Sequence, residues 1–331
     1  MTAFEHVGVA GAGAFGTALA LVAHKAGRRV TLWGRDPLRV AAIQAAGQNE
    51  KYLPDTPIPA EIALTSEPGQ LQSADILLMV APAQATRPTA ERFAPHLRPG
   101  TPVVACGKGI ERATGRRQTE IIAECLAGAR PAALSGPGWA DEIAAGLPTA
   151  MTIAAPEIEL ADQLAVALSS EMFRLYASDD IIGVELGGAI KNVLAIACGI
   201  VIGKERGESA RAALISRSLA EMKRLGEKLG ARPETFMGLS GLGDLVLTAT
   251  SEQSRNTSFG VALGRGRPLA ELITKQLVEG VYSARIAAEI AAGQDVQTPI
   301  IAAVADIVEG RIDINAAITA LLSRPLRREA G

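Results

Sequence analysis

Histidine, cysteine and aromatic residues are scarce in this chain of 331 residues, which has three histidines, three cysteines and 3% aromatic residues. His6, His24 and His96 are not spaced as metal ligands on one helix or turn, so no metal is expected. A Ser-His-Asp hydrolase is disfavoured as well, because the chain has no G-x-S-x-G nucleophile turn. We therefore expect the acid–base group of any reaction to be a residue other than histidine.

The cysteine spacing and the net charge exclude further classes of protein. Cys106, Cys125 and Cys198 form no C-x-x-C pair, so free thiols in a reducing compartment are expected. The formal net charge is −2, without the basic excess typical of nucleic-acid binders. No secretory signal is recognised, and the longest apolar runs, 74–81 and 193–203, are too short to cross a membrane. We expect a cytoplasmic protein without nucleic-acid partners or a membrane span.

The first half of the chain alternates between strand-like and helix-like patterns. The apolar or β-branched runs are His6–Ala10, Arg29–Trp33, 74–80, Pro102–Ala105, 131–134, Thr149–Ala154 and 173–176. Such alternation predicts a mostly parallel sheet with helices on both faces. The prolines between residues 54 and 59 predict a loop.

Helical patterns alone follow residue 178. We predict helices at 180–201, 208–230, 269–280, 281–292, 299–309 and 314–322. The fold class is therefore an α/β N-terminal domain followed by an all-α C-terminal domain.

A G-x-G-x-x-G motif lies between the first predicted strand and the first predicted helix. Gly11 permits the tight turn, Gly13 lets the backbone approach a pyrophosphate, and Gly16 lets the helix pack on the strand. The alternative is a glycine cluster that serves only helix packing. The motif predicts that residues 1–185 form a Rossmann-type domain that binds NADP(H) or NAD(H). Residues 186–331 are then a helical substrate-binding domain.

The end of the second strand bears on the choice of cofactor. NAD-selective sites place an acidic residue there, whereas here the first charged residue is Arg35. Its guanidinium can hold a 2′-phosphate and stack on adenine. Asp36, before Pro37, is expected to cap the next helix. The sequence thus indicates that NADPH is accepted, and a solvated surface arginine is the alternative.

Two lysines are candidates for the proton donor once histidine is set aside. Lys108 lies between two glycines just after a predicted strand, where ligands bind in open parallel sheets. Lys191 lies in a predicted helix with Gly187 and Gly188 on its face, which would leave a hollow for a ligand. Two glycines within a helix cost about 2 kcal/mol relative to alanine, which the approach of a cofactor or of the other domain would offset. An exposed lysine beside a helix-packing glycine pair is the alternative.

A polar cluster is predicted in the second half. A glycine-rich turn ends in Asp244, and Ser254, Arg255 and Asn256 follow it. Their hydroxyl, guanidinium and amide donors suit a phosphate monoester. A helix cap is the alternative for this cluster.

Together these segments resemble the bacterial-type NAD(P)-dependent glycerol-3-phosphate dehydrogenases. The matching stretches are 11–20, 32–36, 108–109, 135–137, 144–149, 183–192, 219–222, 235–247, 253–256 and 278–280. The resemblance implies reversible hydride transfer between NAD(P)H and dihydroxyacetone phosphate, giving sn-glycerol 3-phosphate for phospholipid synthesis. It also implies a Rossmann-type domain followed by a helical domain. The sequence leaves open whether the chain forms a homodimer.

The resemblance also assigns site residues, with Lys191 as the general acid and base. The implied substrate-binding positions are Lys108, Gly136, Gly138, Lys191, Asp244, Ser254, Arg255 and Asn256. The implied cofactor positions, besides the glycines of the motif, are Ala14, Phe15, Arg35, Lys108, Ala140, Arg255, Leu277 and Glu279. The chain departs from the family at Ala14, Gly107 and Gly138, where small hydroxyl residues are usual. These departures put in doubt a cofactor contact by a hydroxyl at 14 and a side-chain substrate contact at 138.

Two other functions stay open on the residues alone. A β-hydroxyacid-type dehydrogenase or ketopantoate reductase also pairs these two kinds of domain with a lysine, but its substrate carries a carboxylate. A dinucleotide-sensing regulator would bind cofactor without needing Lys191 or the Ser-Arg-Asn cluster. Dependence of turnover on a phosphate-bearing substrate distinguishes these possibilities.

Overall fold

The structure is a computed structural model that describes residues 4–273 and 278–325. Within these ranges all strands lie before residue 179. The strands are β1 His6–Ala10, β2 Arg29–Trp33, β3 Gln48–Asn49, β4 Leu53–Pro57, β5 Ala63–Thr65, β6 Ile76–Met79, β7 Pro102–Ala105, β8 Arg130–Ser135, β9 Thr149–Ala154 and β10 Phe173–Ser178.

Eight of the strands form one sheet in the order β10-β9-β8-β7-β6-β1-β2-β5. All neighbouring strands run parallel except β8 and β9, which are antiparallel. The part from β5 to β8 has the strand order of a doubly wound dinucleotide-binding fold, which reverses between β1 and β6. The prediction of a mostly parallel, Rossmann-type sheet is confirmed.

Helices cover both faces of the sheet, and the central strand β6 shows this by alternation. Ile76 and Leu78 belong to one apolar core, while Leu77 and Met79 belong to a second core on the opposite face. The helices of this half are α1 Ala14–Lys25, α2 Pro37–Ala46, α3 Thr86–Phe93, α4 Gln118–Cys125, α5 Ala140–Ala145 and α6 Ile158–Leu168. Residues of α1 and α6 belong to the first core, and residues of α3 and α4 to the second.

The segment predicted as a proline-rich loop contains a short antiparallel hairpin instead. Strands β3 and β4 pair with each other and not with the main sheet. Pro54 and Pro57 lie in β4, where a two-stranded ribbon has a free edge that needs no N–H donor. The loop prediction is therefore wrong for β4, and β5 is a further strand that the pattern did not indicate.

The second half is helical in the described residues, as predicted. Its helices are α7 Ile181–Gly203, α8 Glu208–Lys228, α9 Asp244–Ala249, α10 Arg255–Gly264, α11 Leu269–Ile273, α12 Glu279–Gly293, α13 Pro299–Val308 and α14 Ile314–Leu322. The prediction of one helix over 269–280 is wrong, because α12 begins at Glu279 after an extended Val278. The predicted domain boundary after residue 185 lies inside α7, and the division into two domains stays a prediction.

Helix α7 is the centre of the helical half. By length and composition it could cross a membrane, with a mean hydropathy of 1.8, and the expectation that no apolar segment is long enough is wrong for it. The protein itself buries 83% of that apolar window. Gly199 and Gly203 face Gly260 and Gly264 of α10, and a Cβ on Gly199 would lie 2.2 Å from Thr257 O. Small residues thus let α10, which the periodicity did not indicate, approach α7 closely.

Candidate active site

The glycine-rich turn joins β1 to α1 with the geometry expected of a phosphate-binding turn. Gly11 has φ +136°, and a Cβ there would lie 2.1 Å from Val80 O, so glycine is required. A Cβ on Gly16 would lie 1.7 Å from Gly11 O. Apart from chain neighbours, no described atom lies within 4 Å of a Cβ built on Gly13. The backbone at Gly13 is therefore open to a pyrophosphate at the start of α1, and these residues fit a dinucleotide.

Ala14 and Ala140 line one cavity of about 340 Å³ beside this turn. Tyr52, on the hairpin, lines the same cavity. Its ring lies 5.0 Å from the Arg39 guanidinium carbon, and Arg39 Nη1 donates to its hydroxyl oxygen at 2.9 Å. Tyr52 was not predicted from the sequence, although a tyrosine directly after Lys51 in a chain with 3% aromatics is a usable signal. Phe15, the second residue of α1, is half-buried and packs on the core of the sheet.

Arg35 is exposed just after β2, at the carboxyl edge of the sheet. Asp36 follows it and caps α2, as predicted, by accepting hydrogen bonds from the N–H groups of Leu38 and Arg39. The cap fixes the turn between β2 and α2, on which Arg35 lies. Its role in reading a 2′-phosphate stays a prediction.

A buried carboxylate joins the two candidate lysines. Lys191 Nζ donates to Asp244 Oδ1 at 2.8 Å, and Lys108 Nζ donates to Asp244 Oδ2 at 2.5 Å. Lys108 Nζ also donates to Gly136 O at 2.8 Å. Lys108 follows β7 and Gly136 follows β8, whereas Lys191 and Asp244 lie on α7 and α9. The site therefore forms where the carboxyl edge of the sheet meets the helical half.

The charges in this cluster shift one another's proton affinities. Burial lowers the pKa of Lys191 to about 8, while the Asp244 carboxylate opposes this and Lys108 adds to it. Burial alone would raise the pKa of Asp244, but the two ammonium groups outweigh it and hold that pKa below its usual value. A lysine with a pKa near neutrality both donates and accepts a proton at ordinary pH, as a general acid and base must.

Two further polar residues of the cluster were missed by sequence analysis. Thr248 Oγ1 accepts a hydrogen bond from Lys191 Nζ at 2.7 Å. Asn192 Nδ2 donates to Lys108 O at 3.2 Å. Thr248 lies four residues after Asp244 on α9, and this helical spacing is the signal that could have found it.

The glycine pair before Lys191 does not leave a hollow for a ligand. A Cβ on Gly187 would lie 2.5 Å from Ser240 O, and a Cβ on Gly188 would lie 2.5 Å from Ser135 Oγ. Protein atoms fill both spaces, so the expectation of a hollow is wrong. The close approach of the other half of the chain, at Ser135, offsets the cost of glycine at 188.

Gly136 and Gly138 follow β8 in a crowded turn. Gly136 has φ +144°, and a Cβ there would lie 2.9 Å from Met151 Cα. A Cβ on Gly138 would lie 2.9 Å from Ile143 Cδ1, so a hydroxyl residue at 138 would have to displace that side chain. Gly136 contributes a backbone oxygen to Lys108, and a role of Gly138 in substrate binding stays a prediction.

The three residues of the Ser-Arg-Asn cluster have different surroundings. Ser254 is buried and caps α10 by accepting from Thr257 N, so the helix-cap alternative is confirmed for this residue. Asn256 is buried, donates to Asn192 Oδ1 at 2.9 Å and accepts from Gly280 N at 2.9 Å. Arg255 is exposed. Of the three side chains, Arg255 is therefore the one open to an anion.

Glu279 begins α12 and reaches the sheet half of the chain. Its Oε1 accepts from Ala83 N at 3.2 Å, and its buried Oε2 has no hydrogen-bond partner among the described residues. Burial raises the pKa of Glu279, while the Ala83 N–H and the nearby Arg255 oppose the rise. Leu277, the other cofactor position predicted here, lies outside the described residues.

A metal site is not part of this arrangement. Among residues 4–273 and 278–325, no three His, Cys, Asp or Glu side chains group as a metal site would require. The chemistry available from the described residues is acid–base catalysis by a lysine, beside a turn that fits a dinucleotide.

Comparison with known proteins covers nearly the whole chain. Residues 6–161 match the family model of the NAD-dependent glycerol-3-phosphate dehydrogenase N-terminus, and residues 180–319 match that of the C-terminus. Glycerol-3-phosphate dehydrogenase (NAD(P)+) of Azorhizobium caulinodans is 49% identical over 330 residues, which is 100% of both chains.

Solved structures show the same relationship. The crystal structure of glycerol-3-phosphate dehydrogenase from Coxiella burnetii has a TM-score of 0.90 and 38% identity, and the match covers 97% of this chain and 99% of that one. A ketopantoate reductase from Ralstonia eutropha has a TM-score of 0.59 at 17% identity, with 93% of this chain and 98% of that one covered. The second likeness concerns the fold alone.

Proposed function

This chain belongs to the NAD-dependent glycerol-3-phosphate dehydrogenase family, and on that basis we propose the reaction that it catalyses. It is an NAD(P)-dependent oxidoreductase that acts on a CH-OH group. It transfers hydride reversibly between NAD(P)H and dihydroxyacetone phosphate, giving sn-glycerol 3-phosphate for phospholipid synthesis. The observation that carries the proposal is the buried cluster of Lys191, Asp244 and Lys108 beside the glycine-rich turn.

The cofactor is held by the carboxyl edge of the sheet. The open backbone at Gly13 and the start of α1 receive the pyrophosphate. Arg35 would hold the adenosine end, and Glu279 would contact the nicotinamide end. Bound NAD(P)H supplies the hydride that reduces C2 of the ketone.

Lys191 supplies the proton. An ammonium group has three N–H donors, and those of Lys191 that contact Asp244 and Thr248 leave one for the carbonyl oxygen of the substrate. As hydride reaches C2, Lys191 Nζ transfers this proton to the oxygen, and its charge stabilises the developing alkoxide. In the reverse direction neutral Lys191 takes the hydroxyl proton.

Asp244 and Lys108 position the catalytic lysine and the substrate. The two oxygens of Asp244 bind the two ammonium groups, so neither lysine is free to turn away. Lys108, which is half-buried, adds positive charge beside the substrate. A preorganised charge pair of this kind needs little reorganisation during the reaction.

Arg255 binds the phosphate of the substrate. Its guanidinium is exposed at the first turn of α10 and provides a planar pair of donors for phosphate oxygens. The N-terminus of α10 favours an anion in addition. Ser254 and Asn256 shape this end of the helix through the cap and the link to Asn192.

The two alternatives from the sequence have less support. The ketopantoate reductase shares only the fold, whereas whole-length relatives near 50% identity carry the dehydrogenase name. A sensor without catalysis gives no reason to bury Lys191 with a lowered pKa beside Asp244.

We also propose that the enzyme is cytoplasmic and forms a homodimer. The free thiols of the described cysteines suit a reducing compartment. The open edge of β10, with Tyr176 57% exposed, is a surface on which a second copy could pack. Sedimentation velocity of the purified chain tests the dimer, and a monomer at micromolar concentration would contradict it.

The assay that tests the proposed function follows oxidation of NADPH and NADH by the purified chain. We expect rapid turnover with dihydroxyacetone phosphate and none when no ketone substrate is present. Lys191→Ala should lower kcat at least ~10²-fold because it removes the proton donor and the alkoxide-stabilising charge. The NADPH Kd should be retained, and Lys228→Ala, an exposed lysine on α8, should behave as wild type. Absence of wild-type turnover with this substrate would contradict the proposal.

A further inference from the structure

Two buried polar atoms without partners lie on one face of α12. They are Glu279 Oε2 and Ser283 Oγ, and neither has a hydrogen-bond partner among the described residues. Residues four apart on a helix project from the same face. A Cβ atom built on Gly109 would lie 3.4 Å from each of the two oxygens. Both therefore face one point beside the backbone of Gly109.

The loops after β6 and β7 lie on the side of this point that faces α12. Ala83 N donates to Glu279 Oε1 at 3.2 Å, and a Cβ on Gly109 would lie 2.7 Å from Ala83 Cβ. In the sheet, β6 and β7 lie on the other side of β1 from β2 and β5. A dinucleotide lies across the point where the strand order reverses, with its adenosine end at the second strand. The loops after β6 and β7 therefore belong to the nicotinamide half of the site.

Packing does not require a serine at 283. The neighbouring buried positions of α12 are Gly280, Ala284 and Ala287. An alanine at 283 would fit among them without leaving a hydroxyl unpaired in the interior, which is unfavourable. The Ser283 hydroxyl is therefore available to a ligand, and unlike the unpartnered hydroxyl of Ser218 it lies beside a second unpartnered oxygen, Glu279 Oε2.

We propose that Ser283, together with Glu279, binds a polar group of the nicotinamide nucleotide half of the cofactor. The group is a ribose hydroxyl or the carboxamide. The inference rests on the proposed use of NAD(P)H, and it adds Ser283 to the residues that the family resemblance assigns.

Both candidate groups match the chemistry of the two protein atoms. An ionised carboxylate only accepts hydrogen bonds, whereas a serine hydroxyl donates and accepts. A ribose hydroxyl and a carboxamide each carry a donor and an acceptor, so either can satisfy both oxygens. Both oxygens are buried, so neighbouring protein atoms must move for a ligand to reach them.

Calorimetric titration of the full chain with NADH, ADP-ribose and ADP tests the proposal. Ser283→Ala is compared with wild type and with Ser218→Ala, which removes another buried, unpartnered hydroxyl on α8. Ser283→Ala should raise the Kd of NADH about 3- to 10-fold, the effect of one lost neutral hydrogen bond. The Kd of ADP, and every Kd of Ser218→Ala, should match wild type.

Comparison of NADH, ADP-ribose and ADP shows whether Ser283 binds the ribose hydroxyl or the carboxamide. A loss of affinity for both NADH and ADP-ribose identifies the ribose hydroxyl. A loss of affinity for NADH alone identifies the carboxamide. Both results support the proposal. An unchanged NADH Kd, or an equal loss with ADP, would overturn it. Wild type that binds none of the three ligands would instead contradict the proposed function.

Protein stability is checked in parallel. Both alanine variants remove an unpaired buried hydroxyl, so their Tm should equal or exceed that of wild type. If Ser283→Ala lowers the Tm more than Ser218→Ala does, Ser283→Cys repeats the titration with a side chain of similar volume and a weak donor. A Cys variant that binds NADH as wild type does would then overturn the proposal.

Discussion

Lys191 and Asp244 form a buried ion pair, with 2.8 Å between Lys191 Nζ and Asp244 Oδ1 and side chains 8% and 2% exposed. Burial disfavours the lysine charge, whereas the carboxylate favours it. The outcome is a pKa of about 8 for Lys191, far below its ordinary value of 10.5. Burial thereby converts a normally permanent cation into a group that exchanges its proton near neutral pH, and Asp244 limits how far the pKa falls.

The pH dependence of catalysis follows from this pKa. Ketone reduction needs protonated Lys191, so its kcat should fall as pH rises through about 8. Alcohol oxidation needs the neutral amine, so its kcat should rise through the same range. Initial rates in both directions at saturating substrate measure the two profiles. Profiles that fall or rise together would rule out a single lysine acting as both acid and base.

Asp244→Asn should shift these profiles. It removes a charge that raises the pKa of Lys191. The pH at which kcat for ketone reduction falls, here called the reduction limb, should therefore move down by roughly 1–3 units. Asp162→Asn, an exposed change on α6, is the matched control and should leave the limb in place. A lower kcat with an unshifted limb would show that Asp244 acts on the fold rather than on the proton affinity of Lys191.

Arg255→Gln should impair phosphate recognition. Losing a charge-assisted contact worth about 1.5–3 kcal/mol should lower kcat/KM for dihydroxyacetone phosphate roughly 10- to 100-fold. Dihydroxyacetone lacks the phosphate, so wild type and variant should use that poor substrate almost equally. Arg265→Gln, exposed at the end of the same helix, serves as the control.

The NADPH Kd of Arg255→Gln separates its two predicted roles. An unchanged Kd with a reduced kcat/KM leaves the substrate phosphate as the partner lost. An equal fall in kcat/KM for both substrates, together with a raised NADPH Kd, would assign Arg255 to the cofactor instead.

Arg35→Asp should move cofactor preference from NADPH toward NADH. A carboxylate at this position repels a 2′-phosphate and accepts hydrogen bonds from the ribose hydroxyls. The measurement is the ratio of kcat/KM values for the two cofactors. Arg29→Asp, exposed at the opposite end of β2, should leave the ratio unchanged. The same unchanged ratio in Arg35→Asp would mean that Arg35 does not read the 2′ position.

Glu221→Gln should change how stability depends on pH. Glu221 accepts hydrogen bonds from Ile300 N and Ile301 N at the start of α13, and burial raises its pKa to about 7 from 4.5. Folding therefore favours the protonated carboxyl, and the stability it contributes is lost as pH rises from 4.5 to about 7. A glutamine does not titrate, so the Tm of the variant should fall less over this range than that of wild type.

The matched control for this change is Glu227→Gln, an exposed residue on the same helix. Thermal melts across the range should give Glu227→Gln the slope of wild type. Parallel Tm curves for all three proteins would show that Glu221 does not titrate in this window.

Local patterns in the sequence were sufficient for seven of the eight strands of the main sheet and for the cofactor turn. Alternating apolar runs identify buried parallel strands, because each such strand is covered on both faces. The G-x-G-x-x-G motif is contiguous, so the sequence reveals it without knowledge of the contact that Gly11 makes with Val80. Lys108 and Lys191 were singled out by their own surroundings, the end of a strand and a helix with paired glycines.

The tertiary structure alone decided how these parts meet. Asp244 joins two lysines that lie 136 and 53 residues away in the chain, and no periodicity encodes such a contact. The spaces beside Gly187 and Gly188 were expected to admit a ligand, yet Ser240 and Ser135 fill them. What occupies the space beside a glycine depends on which distant segment packs there, and that is a property of the assembled core. Lys191 has its lowered pKa for the same reason, because burial and the neighbouring charges exist only once α7 and α9 have packed against the sheet.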